Sequence, residues 1–280
     1  MRIWSLGPKP RLLHVLHGIP HYTWATFSPG GRTVAATGGP LSNPAGQQPG
    51  ALGDGLVAEW NAATGKLLAK PVLLRGGGEA IDVAFAARGT TVAVAQLGNR
   101  AAVVDPARRK ILGRWNGSPT AQYMLGAALS PGGTRVATAD LEGYLRVRTA
   151  ATGKQLLPAI RASANYLYSV AWSSDGSRLL TAGDDGTVRL YDATSGEPVG
   201  TPLAVPGAFA AFSAGGYLYA TFSPDGRTIA VTDDTGRVWL YPATAAGWEA
   251  YACRLANREL TRAEWSKFLP GHPYQQVCRR

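Results

Sequence analysis

One phrase recurs five times along this 280-residue chain: a short apolar strand, a turn of Ser-Pro-Asp-Gly type, and a second apolar strand. It reads Ala25-Thr-Phe-Ser-Pro-Gly-Gly31, Val83-Ala-Phe-Ala-Ala-Arg-Gly89 and Ala128-Leu-Ser-Pro-Gly-Gly133, then Val170-Ala-Trp-Ser-Ser-Asp-Gly176 and Ala220-Thr-Phe-Ser-Pro-Asp-Gly226. The large apolar anchors Phe27, Phe85, Leu129, Trp172 and Phe222 are spaced by 58, 44, 43 and 50 residues. A period of about 40–45 residues with strand–turn–strand content predicts a radial array of small sheets. Arrays of that kind usually act as binding surfaces.

The fourth repeat is the cleanest. Tyr168–Trp172 alternates toward a buried face, Ser174-Asp-Gly176 turns the chain, and Arg178–Ala182 forms a second strand. Asp184-Asp-Gly186 supplies a tight turn, because Asp and Gly readily take positive φ. Thr187–Asp192 is a third strand, with Val188 and Leu190 on one face and Arg189 and Tyr191 on the other. Thr194-Ser-Gly196 leads to a weaker fourth strand near 197–203. The unit is a four-stranded antiparallel meander, and the other repeats follow it near 22–74, 80–115, 125–161 and 218–241.

Val188–Asp192 after Asp185-Gly186, together with Phe222-Ser-Pro-Asp-Gly226, resembles WD40 repeats of the bacterial type. The resemblance spans residues 1–245 and implies an all-β, WD40-like β-propeller of about five blades around a central channel. The chain departs from that family where the Gly-His dipeptide before the first strand is missing from most repeats. The Trp-Asp dipeptide has likewise become Trp60-Asn61, Val104-Asp105, Arg148-Thr149 and Tyr241-Pro242. Blade cohesion is therefore expected to rest mainly on apolar packing.

The chain opens in mid-repeat, with Arg2–Ser5 as a third strand and Arg11–Leu16 as a fourth, so residues 1–17 form a partial blade. The fifth repeat lacks a fourth strand. A closed ring leaves no bare edge, which predicts that Arg11–Leu16 completes the last blade. The competing arrangement keeps both strands together as the remnant of a further blade. After Pro242 the apolar period changes to 3.6: Trp248, Tyr251, Ala252, Leu255 and Ala256 share one helical stripe. Thr261-Arg-Ala-Glu264 has the form of a capping box, Trp265, Phe268 and Leu269 follow on one face, and Pro270-Gly271 stops the helix. This cap (246–280) resembles the tails of WD-repeat regions in bacterial signal-transduction ATPases of the STAND type. The stripe is expected to seal the last blade.

The net charge of +10 raises nucleic-acid binding, but the 28 Lys and Arg residues are scattered singly through the repeats. Arg146, Arg189 and Arg237 are expected on a solvated face, so a nucleic-acid partner is disfavoured. No signal peptide is evident, and Pro and Gly interrupt the uncharged run 198–224. A cytoplasmic protein without a membrane segment is the expectation. Cys253 and Cys278, the only cysteines, are expected as free thiols, with a bridge clamping the tail as the alternative in an oxidising setting.

Catalytic and cofactor signatures are weak. Thr64-Gly-Lys66 and Thr152-Gly-Lys154 lack the remaining elements of a phosphate loop and read as strand-connecting turns. His14 and His17 would face opposite sides of a strand, which spoils a shared metal site with His21. Most Asp residues sit in turns, with Asp82 the exception beside a channel strand. The expectation is a non-catalytic scaffold or sensor module with no cofactor, no metal and a protein or peptide partner. An enzyme acting on a glycan or small molecule is the alternative, and a basic nucleic-acid scaffold is the weaker one. Two long loops (39–55 and 207–216) and four tyrosines just before first strands (Tyr22, Tyr123, Tyr166 and Tyr217) mark the expected binding rim.

Overall fold

In the computed structural model, residues 1–39, 53–118, 123–207, 217–256, 258–259, 261–268, 271, 273–276 and 278 are described. Strand β1 (Arg2–Trp4) pairs with β2 (Leu12–Val15). Five larger meanders follow. Blade one holds β3 (His21–Phe27), β4 (Thr33–Gly39), β5 (Gly55–Asn61) and β6 (Val72–Leu74). Blade two holds β7 (Ala80–Phe85), β8 (Val92–Gln96), β9 (Arg100–Asp105) and β10 (Lys110–Asn116). Blade three holds β11 (Met124–Leu129), β12 (Arg135–Asp140), β13 (Tyr144–Thr149) and β14 (Ile160–Arg161). Blade four holds β15 (Leu167–Trp172), β16 (Arg178–Gly183), β17 (Thr187–Asp192) and β18 (Leu203–Ala204). Blade five stops at three strands: β19 (Leu218–Phe222), β20 (Thr228–Asp233) and β21 (Val238–Pro242). The first strands β3, β7, β11, β15 and β19 touch their neighbours in sequence and line one channel.

The recurrent turn between first and second strands has a local cause. The Ser28, Ser130, Ser173 and Ser223 hydroxyls accept hydrogen bonds from the amides of Thr33, Arg135, Arg178 and Thr228, all at 2.9–3.0 Å. Glycine takes positive φ within each turn, from +65° at Gly31 to +74° at Gly176. Blade two carries Ala86 in place of the serine and keeps only the backbone bond from Ala86 N to Thr91 O.

The hydrophobic core lies in the seams between blades. Ala35, Val57 and Leu74 of blade one pack on Val83, Val92 and Val104 of blade two. Equivalent clusters join blades two and three, three and four, and four and five. A middle blade is covered on both faces, so its second strand is buried throughout, as in Val92-Ala-Val-Ala-Gln96. Alanine at alternate positions lets neighbouring sheets approach closely, while each fully buried Leu or Val contributes roughly 1.5–3 kcal/mol.

Polar clips supplement this packing. Asp140 pairs with Arg146, Asp185 with Arg189 at 2.7 Å, and Asp233 with Arg237 at 2.6 Å. Each clip spans the turn from second to third strand. The expectation that Arg146, Arg189 and Arg237 form a solvated face holds for Arg237, which is exposed, and is corrected for Arg146, which is buried, and Arg189, which is half-buried. Each guanidinium is held by a turn carboxylate.

Ring closure also differs from the expectation. Leu12–Val15 does not complete blade five, because β2 pairs with β1 in a register that places Ile3 opposite His14. Ile3 and Leu16 then pack on Val34, Ala36 and Trp60 of blade one. The Trp60 indole N–H donates to His17 O at 2.9 Å and ties the following segment down. Blade five consequently leaves Val238 and Leu240 exposed on its free face.

The tail contains α1 (Ala245–Ala256) and α2 (Arg262–Phe268). Trp248 stacks on Tyr241 at 6.2 Å, which docks α1 on β21. The capping box forms as expected: Thr261 N donates to Glu264 Oε2 at 2.8 Å and Glu264 N to Thr261 Oγ1 at 3.2 Å. The side chains of Ala252, Leu255, Ala256 and Phe268, and residues Leu269, Pro270 and His272, lie outside what is described. Cys253 and Cys278 form a disulfide with Cα atoms 5.2 Å apart, so the expectation of free thiols is corrected. The return of the chain past Gly271 brings together two cysteines that sequence separation left apart. Among the described residues, no helix is long and apolar enough to cross a membrane.

Two measurements test this construction. Asp140→Leu strands the buried Arg146 charge and should lower stability by about 3–5 kcal/mol in urea unfolding. Adding Arg146→Met should recover part of that loss. Removing residues 247–280 should lower the melting temperature sharply, and an unchanged melting curve would rule out a sealing role for the tail.

Candidate functional site

A four-stranded meander sends the loop from second to third strand to the same end of the blade as the loop entering its first strand. Because the first strands run side by side along the channel, these loops from all blades gather on one rim. That rim carries Tyr166 and Tyr217. Tyr166 lies 6.0 Å and Tyr217 4.8 Å from the Tyr168 ring, both edge-on, the favourable arrangement for aromatic quadrupoles. Tyr168 is buried, whereas Tyr166 and Tyr217 are 41% and 49% exposed. One step further down the channel, Trp24 of β3 meets Tyr219 of β19 at 5.0 Å.

The other two rim tyrosines behave differently. Tyr22 turns into the seam: its hydroxyl donates to Leu16 O at 3.0 Å and its ring leans on Trp60 at 6.0 Å. Burial pushes its phenol pKa up. Tyr123 is partly exposed, and among the described residues no ring contact joins it to the other tyrosines. The structure thus brings together Tyr166 and Tyr217 and leaves Tyr22 and Tyr123 apart. Most of the two long loops (40–52 and 208–216) lies outside the described residues.

Tyr166 stands at the edge of a cleft of about 630 Å³, lined by Glu142, Tyr144, Arg161, Asn165, Tyr166 and Asp184. Asp184 fixes the Tyr166 loop by accepting from Tyr166 N at 3.1 Å and from the Ser163 hydroxyl at 3.2 Å. Gly183 makes this approach possible, since a Cβ there would sit 2.6 Å from the Ser163 side chain. Burial raises the Asp184 carboxyl above its ordinary range, with those hydrogen bonds opposing it. Burial likewise raises the Tyr168 phenol, and the Asp184 charge adds to it. Arg146 and Arg161 lie over the Tyr144 ring at 4.9 and 5.4 Å, within cation–π range.

The channel itself encloses about 990 Å³. Asp82 of β7 is the one carboxylate lining it among the described residues. Its Oδ2 accepts from Ala127 N at 2.9 Å. The group lies deep in the protein yet is partly reachable through the channel, and burial pushes its pKa up to about 6. Tyr219 is pushed up to about 12, first by burial and then by the Asp82 charge. Both channel tyrosines therefore remain neutral hydroxyls at physiological pH.

Glycoside hydrolysis needs two converging carboxylates, and the channel offers Asp82 alone among the described residues. The histidines are separate: His14 meets Ala63 O at 2.9 Å, while His21 meets Glu79 at 2.6 Å. No described group of three or more ligating side chains could hold a metal. Gly65 and Gly153 sit at φ of +68° and +70° in strand-connecting turns, as the Thr-Gly-Lys segments predict. Three arginines do meet on the blade-two rim, where Arg100 and Arg114 both donate to Arg75 O. Arg146, Arg189 and Arg237 lie on the same rim, each paired with a turn aspartate.

The sequence reasoning missed Trp24, Tyr168, Tyr219 and Asp184. One signal was available: Tyr-Leu-Tyr occurs at 166–168 and again at 217–219, at the same place in two repeats. A period-2 strand projects both tyrosines of each triplet to one side.

Residues 155–192 match the family model described as WD domain, G-beta repeat. The match begins before β14 of blade three and ends with β17 of blade four, so one sequence repeat contributes to two sheets. No curated protein matches the chain. With that repeat and the successive antiparallel blades, the fold is a WD40-like β-propeller with a short two-helix tail. Repeats of this kind support a protein-interaction scaffold in general.

The raised Asp82 pKa carries a stability consequence. The folded state holds the proton more tightly than the unfolded chain, so the contribution is fully present below pH 4 and is lost as pH rises through about 6. At pH 8 the ionised carboxylate costs the fold about 3 kcal/mol. Asp82→Asn keeps an acceptor for Ala127 N. It should raise the melting temperature at pH 8 and change it little at pH 4; equal shifts at both pH values would contradict this account.

Proposed function

We propose that the chain is a non-catalytic recognition module that binds a protein or peptide on the rim bearing Tyr166 and Tyr217, as part of a bacterial signalling protein. The observation that carries this reading is the exposed aromatic pair seated on the buried Tyr168. Two rigid rings, each with an apolar body and a hydroxyl tip, are backed by a third and cost little conformational entropy on binding. The cleft beside Tyr166 adds acceptors in Glu142 and Asp184 and a donor in Arg161, enough to set the register of an extended peptide. Tyr22, turned into the seam, and Tyr123, apart from the pair, are assigned no direct contact. The tail resembles those of signalling ATPases and provides the link to that context. A cytoplasmic placement requires Cys253 and Cys278 to be reduced there. That would leave the propeller intact, because the bridge lies wholly within the tail.

The test is the double variant Tyr166→Ala with Tyr217→Ala, with folding followed by thermal melting. Loss of two central aromatic anchors should weaken capture of the partner from lysate of the producing cell by at least 30-fold, at about 1 kcal/mol or more per anchor. Undiminished capture by a folded double variant would place the binding face elsewhere.

A further inference from the structure

Asp82 accepts from Ala127 N across the seam between blades two and three. The neutral Ser169 hydroxyl makes the equivalent link to Ala220 N between blades four and five, so blade packing does not require a charge at this position. Asp82 is a carboxylate deep in the molecule, and among the described residues no Lys, Arg or His lies within ion-pair distance of it. The turn aspartates Asp140, Asp185 and Asp233 each hold an arginine. Apart from Arg88, the other polar side chains described in the channel wall are neutral, among them Thr26, Ser169, Thr221 and the phenols of Tyr168 and Tyr219. The one basic residue lining the channel is Arg88, in the turn after β7 at the opposite rim. Trp24 and Tyr219, in ring contact, add an aromatic wall, and Trp24 is 38% exposed.

A buried charge without a partner is costly and ordinarily neutralises or is removed. Here it is retained on the wall of an open channel of about 990 Å³, near the Tyr219 ring, against which Trp24 packs. A carboxylate that can be reached but is not paired, set next to aromatic faces, matches the chemistry of an organic cation. A hydrated metal ion fits less well, because a single carboxylate among neutral hydroxyls supplies too few hard ligands.

We propose that the upper channel is a binding site for a cationic group, a primary ammonium or a guanidinium, with Asp82 as its counter-charge and Trp24 and Tyr219 as its aromatic wall. The cation comes either from a free alkylamine or alkylguanidine or from a Lys or Arg side chain of the peptide bound at the rim; the second source rests on the proposed function above. The long-range field of a chain with net charge +10 opposes such a ligand, so affinity must come from close contact with Asp82 and the rings.

Isothermal titration of the full chain tests this with butylammonium and butylguanidinium as free cations, and with capped Gly-Lys-Gly and Gly-Arg-Gly as peptide sources. N-butylacetamide serves as the neutral control. At pH 8 at least one cation should bind and the amide should not. Asp82→Asn should weaken that binding at least tenfold, with circular dichroism confirming the fold. The wild-type protein provides an independent readout: protonation of Asp82 should weaken binding about tenfold between pH 8 and pH 5, since the ligands stay charged throughout. The titratable group facing Asp82 is the Tyr219 phenol, and neither it nor the Tyr168 phenol further along the channel wall ionises in that range.

Preference for the free cations would assign the site to a small molecule, and preference for the peptides would assign it to a partner side chain. Either result supports the site. Absence of cation binding at millimolar concentration, equal binding of the amide, or unchanged affinity in Asp82→Asn would overturn it. Retention of cation binding in the Tyr166→Ala and Tyr217→Ala double variant would uphold the channel site even if that variant still captured its partner and so refuted the rim.

Discussion

Everything in this molecule depends on blade faces packing against one another across narrow seams. No single sheet has enough apolar surface to stand alone, and a three- or four-stranded meander exposes two faces. Stacking covers both. The seam clusters therefore alternate small and branched residues, as with Ala35, Val57 and Val72 against Val83, Val92 and Val94. Alanine sets the distance, valine and leucine fill it, and the radial arrangement follows because each first strand must meet the next around an axis. The channel is the remainder of that geometry: five first strands cannot all touch at the centre.

Polar interactions refine the packing without replacing it. The Asp–Arg clips at Asp140, Asp185 and Asp233 hold the turns between second and third strands, on the rim that carries Tyr166 and Tyr217. The turn serines do the same at the other end. A rim clipped in this way presents Tyr166 and Tyr217 from a fixed base. The weakest part of the architecture is the outer face of blade five, which no further blade covers. There Val238 and Leu240 face outward, and contact across the channel runs through the Trp24 and Tyr219 rings.

The stability of this fold and its candidate chemistry pull against each other at one point. Asp82 is ionised at physiological pH at a cost to the folded state, while the neighbouring phenols remain neutral. Functional sites are where a sequence departs from what packing alone would choose, and in the channel Asp82 is that departure.

The amino-acid sequence by itself determined the strands, the turns and their order. Period-2 apolar runs, Ser-Pro-Asp-Gly turns and a capping box at Thr261–Glu264 act over a few residues, and local physics suffices to read them. It also marked Tyr166 and Tyr217 through their position before first strands. The tertiary structure decided the rest, because the remaining facts are distances between residues far apart in the chain. Only the seam register put β2 beside β1 and left blade five three-stranded. Only the fold of the tail brought Cys253 to Cys278. Arg146 and Arg189 read as solvent-facing until their turns curled back to present a carboxylate. Asp82, Tyr168, Tyr219 and Trp24 come from four different blades, and their convergence exists only once the ring of first strands has formed.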